Sequence, residues 1–432
     1  EIVETSTRSY DEGYIIPHVL GRVGKITAEK WKVTDENGQT TYPLREKGYN
    51  MNDMIGVSGL EAVYEDELRG RDGVETITRS SDGVIVGTAM TTVPEPGHTV
   101  QLTIDSAFQQ AVDKALAKNI EMINSTYNTG SSAKAAAGAV VVISTKDGSV
   151  LAASNYPNYD QNLFATQYSE YSADPGLPLL NRALQGLYTP GSTFKPAVAV
   201  AALDAGVITP ASVIDDYPVE MLGGSIWPVN AYSGYRSIMT LQDAIRNSSN
   251  PTAVRTAIKL TLPSSYAFMT ENLSFTTLTN DDMTAAGALA LGGLSKGVTT
   301  REMAAAYATF ARGGVYTTPR TYTEVLDHNG NVILENKTES HVAMNESTAY
   351  AMNELLKNVV RSGTGTGANF SGMTIAGKTG STNSNNDRYF VGYTPYYTAA
   401  VWVGYDTPTR IVASGNPAAT LWKTFMSKVH AG

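Results

Sequence analysis

Ala139-Val140-Val141-Val142-Ile143-Ser144, then Lys146-Asp147-Gly148, then Ser149-Val150-Leu151-Ala152-Ala153, is the stretch on which the fold class turns. Two β-rich runs flank an Asp-Gly pair, and glycine tolerates the positive φ that a tight hairpin turn requires. The stretch predicts a hairpin. Upstream, Val100 to Ile104 alternates like a strand, and Asp105 or Ser106 can cap a helix carrying Phe108, Val112, Ala115 and Leu116 on one face. Downstream, the chain from about Thr193 to Thr309 is Ala-rich and reads as mostly helical. Strands return at Tyr389 to Tyr393 and Thr398 to Gly404, and a last helix presents Leu421, Trp422, Phe425, Met426 and Val429 on one side. Strands, a helical block, then strands and a helix predict an α+β domain whose sheet draws on both ends of the sequence.

The first hundred residues have a different texture, with more charge, more glycine and short alternating runs such as Val74-Glu75-Thr76-Ile77-Thr78. They predict a small strand-containing domain whose one helical patch runs from Gly59 to Leu68. Pro94-Glu95-Pro96-Gly97 breaks both helix and strand and marks the boundary. The expected division is a front domain over 1–97 and a second domain over 98–432.

Composition narrows the chemistry. The 432 residues are 42% hydrophobic and 17% charged, with 32 Lys+Arg against 41 Asp+Glu and a net charge of −9. That excludes wholesale disorder and lacks the basic footprint of a nucleic-acid binder. The absence of cysteine removes thiol nucleophiles, disulfides, zinc-thiolate sites and iron–sulfur clusters. Five histidines (His18, His98, His328, His341, His430) form no H-E-x-x-H and no pair at helical spacing, so no metal or other cofactor is expected. The glycine-rich Gly363-Thr364-Gly365-Thr366-Gly367 lacks the strand-to-helix context of a phosphate loop and reads as a flexible loop. The densest apolar run, Ala135 to Ile143, is about half of a membrane span. The chain opens Glu1-Ile2-Val3-Glu4 without Met or a signal-like segment, which raises the expectation of a trimmed front, such as a lost membrane anchor, beside that of a merely incomplete chain.

Two serine motifs compete for the role of nucleophile. Gly293-Leu294-Ser295-Lys296-Gly297 matches G-x-S-x-G, but the helix-like Ala285 to Leu291 precedes it where a nucleophile elbow needs a strand, so it reads as a turn. Thr189-Pro190-Gly191-Ser192-Thr193-Phe194-Lys195-Pro196 places Ser192 at the start of a helix and Lys195 three residues on, on the same face. A serine hydroxyl attacks only when its proton is taken, and a lysine kept neutral by burial can take it. Alone, this pair fits an N-cap serine with a surface lysine better. Two further groups follow: Ser248-Ser249-Asn250 at a break between helical segments, and Lys378-Thr379-Gly380-Ser381-Thr382, which follows the apolar Met373 to Ala376 and so reads as a strand carrying a lysine and hydroxyls past a glycine. The order S-x-x-K, S-x-N, K-T-G is the signature of one superfamily.

On these motifs the chain resembles the penicillin-recognising serine acyltransferases, the penicillin-binding proteins and serine β-lactamases. His18-Val19-Leu20-Gly21, Gly59-Leu60-Glu61 and Leu68-Arg69-Gly70 resemble the pedestal of class B, monofunctional members, and Ala290 to Thr299 with Met303 to Tyr307 resembles the stretch between the second and third motifs. The resemblance implies a transpeptidase domain with a central antiparallel sheet flanked by helices and a helical subdomain, behind a strand-rich pedestal. It implies a peptidoglycan D,D-transpeptidase in which Ser192 is acylated by the stem peptide's D-Ala-D-Ala end, or by β-lactams. Lys195 would be the base, Ser248 the proton relay and Asn250 the partner of Lys195. Lys378 would set the local field, with Thr379, Gly380, Ser381 and Thr382 binding substrate, and the Ser192 and Ser381 N–H groups would form the oxyanion hole. The further expectations are a membrane glycosyltransferase as partner, no nucleic acid, and a place on the outer face of a bacterial cell membrane through an N-terminal anchor. A D,D-carboxypeptidase and a non-turnover β-lactam sensor or cell-wall scaffold are the alternatives. The front segment argues against a compact β-lactamase.

Overall fold

The computed structural model describes residues 8–127, 136–222 and 225–431. Glu1 to Glu4 and Ala135, on which two readings above rest, lie outside the described residues. The chain divides into two compact units, the first formed by the residues up to Leu102 together with Tyr159–Ser169 and Tyr322–Lys337, the second by the remainder.

The second unit is built on a five-stranded antiparallel sheet. Its spatial order is Ala376–Ser381, Arg388–Tyr393, Tyr397–Gly404, Ala137–Ser144, Val150–Tyr156, so the hairpin joins strands from the far end of the sequence. Val140 pairs with Val401 and Ala139 with Trp402. One face is covered by the helices Ser106–Tyr127 and Pro417–Val429, whose Phe108, Val112, Leu116, Ile120, Trp422 and Phe425 enclose Val140, Val142, Phe390 and Val401. The alternate residues Val141, Tyr389, Ala400 and Trp402 are buried too, and the Ala-rich helix Thr300–Ala311 packs against these strands. A sheet covered on both faces needs continuous apolar strands, which is why Ala139 to Ile143 does not alternate. Asp105, not Ser106, caps the first helix by accepting from the Phe108 N–H at 2.8 Å.

The block from Thr193 to Thr309 is mostly helical, as its composition predicts, but not wholly so. Two short hairpins interrupt it, Val213–Asp216 with Ser237–Thr240 and Glu220–Leu222 with Ser225–Trp227. Strands of three or four residues are too short to establish an alternation against the surrounding Ala-rich text.

In the first unit the expected helical patch is two turns, Gly59–Val63 and Glu65–Leu68, parted at Tyr64. Three more four-residue helices, Pro17–Leu20, Ala28–Trp31 and Pro43–Glu46, are below the length at which periodicity registers. A small core gathers Ile26, Tyr49 and Ile55. The strand expected from Val100 spans Thr99–Leu102, yet it pairs with Tyr322–Leu326 inside this unit, and Val332–Glu335 completes the sheet. The first unit therefore takes in chain from far beyond the front segment. The partner strand lies more than two hundred residues away in sequence, and no local signal carries such a pairing. Among the described residues no helix is long and apolar enough to cross a membrane.

Candidate active site

Gly191–Phe194 forms a 3-10 turn that runs directly into the helix Lys195–Asp204, with Pro196 in its first turn. Gly191 has φ 54°, and a Cβ there would lie 2.8 Å from the Ser381 carbonyl oxygen. The turn is therefore pressed against the strand Ala376–Ser381, and only glycine permits that approach. The fit is mutual: a Cβ on Gly380 would lie 2.4 Å from the Pro190 carbonyl oxygen. The space beside Gly380 is thus occupied by the Gly191–Phe194 turn. Gly292 supports the turn from another side, its carbonyl accepting from the Gly191 N–H at 3.2 Å. The Tyr307 hydroxyl donates to the Thr193 carbonyl at 2.7 Å.

The strand Ala376–Ser381 stands at the end of the sheet order. An end strand offers unpaired backbone donors and acceptors on its outer side, the geometry by which an extended peptide is bound. Thr382 lies just past it and is tied to Asp387 by paired hydrogen bonds of 3.0 and 2.9 Å.

The helix Leu241–Asn247 ends at Ser248 in the left-handed conformation (φ 60°, ψ 43°), and Asn250 opens the next helix. This sharp reversal aims Ser248 and Asn250 at the lysines. Lys195 Nζ lies 2.6 Å from the Ser248 carbonyl oxygen, 2.6 Å from Asn250 Oδ1 and 3.1 Å from Ser248 Oγ. Lys378 Nζ lies 2.9 Å from the same Ser248 Oγ and 3.1 Å from the Thr379 carbonyl oxygen. Ser248 Oγ thus bridges two lysines that are 2% and 0% exposed.

Two buried ammonium groups on one hydroxyl are electrostatically untenable. Burial, then the neighbouring Lys378, holds Lys195 well below the usual lysine range, with Asp216 acting in the opposite direction. Burial pushes Lys378 down to about 7. A neutral amine has two N–H groups and one lone pair. On Lys195 the two carbonyl-type oxygens can only accept, so they claim the N–H groups and leave the lone pair for a hydroxyl proton. The arrangement suits a lysine held without its extra proton.

Lys195, Ser248, Asn250, Lys378 and Thr379 are joined directly by these contacts, and the turn that carries Ser192 packs against Gly380 and Ser381, while Ser381 itself is exposed and Thr382 half-buried. The sequence reading missed others. Thr364, in the stretch read as a flexible loop, accepts from Thr379 Oγ1 at 2.7 Å, and its loop is closely packed, a Cβ on Gly363 meeting the Arg246 carbonyl oxygen at 2.5 Å. Asp216 and Asn230 hold the Ser249–Asn250 segment. Ser295 of the competing motif caps nothing catalytic: its N–H and hydroxyl both donate to Asp282 at 2.7 Å. Among the described residues no group of three or more His, Cys, Asp or Glu side chains is placed to hold a metal ion.

The penicillin binding protein transpeptidase domain model matches residues 138–426, which contain all three motifs. The chain belongs to the penicillin-binding protein transpeptidase family. The penicillin-binding protein dimerisation domain matches residues 1–102, the pedestal arrangement expected of a class B-like member. Similar proteins include penicillin-binding protein 1F of Bacillus subtilis, 32% identical over 318 residues, covering 72% of this chain and 40% of that one. The peptidoglycan D,D-transpeptidase MrdA of Escherichia coli is 36% identical over 230 residues, covering 52% of this chain and 33% of the relative. This chain thus spans about a third of the length of the curated relatives it matches. In fold it is similar to the D,D-transpeptidase domain from Eggerthella lenta, with a TM-score of 0.69 at 23% identity over 93% of this chain and 94% of that one. A chain of a peptidoglycan synthase complex that coordinates polymerisation and crosslinking aligns with a TM-score of 0.78 at 25% identity, covering 96% and 74%.

Proposed function

We propose that this protein is a peptidoglycan D,D-transpeptidase that cross-links stem peptides through an acyl-enzyme on Ser192. One observation carries the reading above the others: Lys195 is buried and its two N–H groups are taken by acceptors, at the start of the helix into which the turn carrying Ser192 runs. Lys195 takes the Ser192 proton as Oγ attacks the penultimate D-Ala carbonyl carbon. The C–N bond then breaks, and the leaving D-Ala amine receives that proton through Ser248 Oγ, which lies between the two lysines. The amine of a second stem peptide attacks the ester and loses a proton to Lys195. The new peptide bond forms as the proton returns to Ser192. The backbone N–H groups of Ser192 and Ser381 would receive the oxyanion; the contact between Gly191 and the Ser381 backbone supports that pairing. Asn250 orients Lys195, while Thr379, Ser381 and Thr382 face the donor peptide.

β-Lactams would acylate the same serine; a fold neighbour is a penicillin-binding protein A from Mycobacterium tuberculosis solved as an imipenem acyl-enzyme, with a TM-score of 0.65 at 23% identity over 77% of this chain and 80% of that one. The front domain, with its boundary near residues 97–102, would serve as a pedestal. A membrane glycosyltransferase partner and attachment at the outer face of a bacterial membrane belong to the same proposal.

Fluorescent penicillin tests the reading. Wild type is expected to label, Ser192→Ala not at all, and Lys195→Arg at least about a hundredfold more slowly, because a guanidinium does not give up its proton near neutral pH. Equal labelling of wild type and Ser192→Ala would overturn the assignment. A D-Ala-D-Ala donor with an amine acceptor then separates cross-linking from hydrolysis. A predominantly hydrolysed product identifies a carboxypeptidase, and labelling with no product identifies a sensor.

A further inference from the structure

Asp216 ends the strand Val213–Asp216 and is fully buried, whereas its neighbour Asp215 is exposed. Its Oδ1 accepts from Ser249 Oγ at 2.7 Å and from Asn230 Nδ2 at 3.0 Å. Its Oδ2 accepts from the Tyr232 hydroxyl and from the Arg236 N–H, both at 2.7 Å. Four donors on one buried carboxylate require the ionised form. Burial alone would raise its pKa, but hydrogen bonds from Ser249, Asn230, Tyr232 and Arg236 outweigh it and hold the carboxyl below its ordinary range.

Two of those four donors lead to the reacting lysine. Ser249 is the middle residue of the Ser248–Asn250 segment. Asn230 turns its Oδ1 to the Asn250 N–H at 2.9 Å, and the Asn250 amide donates to the Val229 carbonyl at 2.6 Å. Asn250 is thereby gripped at its backbone and at its side-chain nitrogen, which leaves Oδ1 aimed at Lys195. The ionisable groups around Asp216 are Tyr232 and Arg236 on its own loop, and Lys195, with Lys378 beyond Ser248. On the adjoining helices, Arg255 caps the Tyr217 and Pro218 carbonyls, and Asp243 pairs with Arg246 at 2.7 Å. Asp216 is the buried anion of this cluster that acts on Lys195.

We propose that Asp216 is a positioning residue of the acylation site, holding the Ser248–Asn250 segment through Ser249 and Asn230 and using its buried charge to set how readily Lys195 takes a proton. The inference rests on the reading of Lys195 as the base. It assigns a function to a residue outside all three motifs, on a hairpin that no pattern in the sequence announces.

The test compares wild type, Asp216→Asn and Ser249→Ala in second-order acylation by fluorescent penicillin from about pH 5 to pH 10, with thermal melts of each. Asp216→Asn is expected to lower the plateau at least about tenfold. It is also expected to move the rising limb to lower pH, because an ammonium without its neighbouring anion deprotonates more easily. Ser249→Ala keeps the anion, so its plateau falls while its limb stays in place. An Asp216→Asn profile whose limb coincides with wild type overturns the proposal, since a merely structural role lowers the active fraction without moving the limb. Should Asp216→Asn fail to melt cooperatively, Ser249→Ala decides. A normal plateau overturns the proposal, and a lowered plateau at an unchanged melting temperature supports it. Labelling that is independent of Ser192 would instead overturn the acyl-enzyme reading itself, so the two failures are distinguishable.

Discussion

Lys378 shows what burying a single ionisable residue costs. Its ammonium is fully buried, it bonds to Ser248 Oγ and the Thr379 carbonyl, and burial lowers its pKa to about 7. In the unfolded chain a lysine holds its proton to about pH 10. Between those values the unfolded state binds more protons than the folded one, so stability rises with pH across that window, and the cost of burying the group is complete below about pH 7. Lys378→Met removes this cost and also relieves Lys195 of a like-charged neighbour. Relative to wild type, the variant should gain in melting temperature on going from pH 9.5 to pH 6, by an amount corresponding to roughly 1 kcal/mol or more, while acylation is lost. A stability difference that does not change with pH would show that Lys378 is not held against its ordinary proton affinity. The sequence displayed this lysine, but not its burial: Lys378-Thr379-Gly380 at a strand end reads equally well as a solvated terminus, and desolvation is a property of what packs around it.

At the scale of elements, the decisive contact is between the Gly191–Phe194 turn and the strand Ala376–Ser381. The turn was legible because Pro-Gly and a helix start are local, and the strand was legible because it follows the apolar Met373 to Ala376, of which only Ala376 belongs to it. Their close approach was not, since neither segment records the other. Gly380→Ala places a methyl group 2.4 Å from the Pro190 carbonyl oxygen, a backbone atom that cannot rotate away. The turn must shift, and a misplacement near 1 Å is enough to cost about a hundredfold in rate. The expected result is acylation reduced by about that factor, with the far-ultraviolet circular dichroism spectrum retained. Near-normal acylation would mean that the turn is not seated by this strand. The same blindness explains Thr364 and Asp216: one was read as loop and the other as helical surroundings, and each matters only through a partner distant in sequence.

For the whole molecule, the first unit is completed by chain that comes much later. Tyr322–Leu326 pairs with Thr99–Leu102 on one side and Val332–Glu335 on the other. A fragment beginning at residue 98 keeps that sheet's first strand, and one beginning at residue 103 does not. Amide hydrogen exchange over Tyr322–Leu326 should therefore be markedly faster in the shorter fragment. Equal protection in both would show that the pairing contributes nothing to local stability.

The sequence by itself determined the α+β class, the hairpin at Ala139–Ala153, the helices that cover its sheet and the three motifs that carry the chemistry. Those features are written in local patterns: turn residues, periodicity and short spacings. Tertiary structure alone decided that Lys195 and Lys378 meet on one hydroxyl, that Gly380 yields its space to the Gly191–Phe194 turn, that Asp216 underlies the second motif and that a strand at residue 99 waits for one at 322. Burial, charge coupling and strand partnership are relations between distant residues. They come into being only when the chain closes around them.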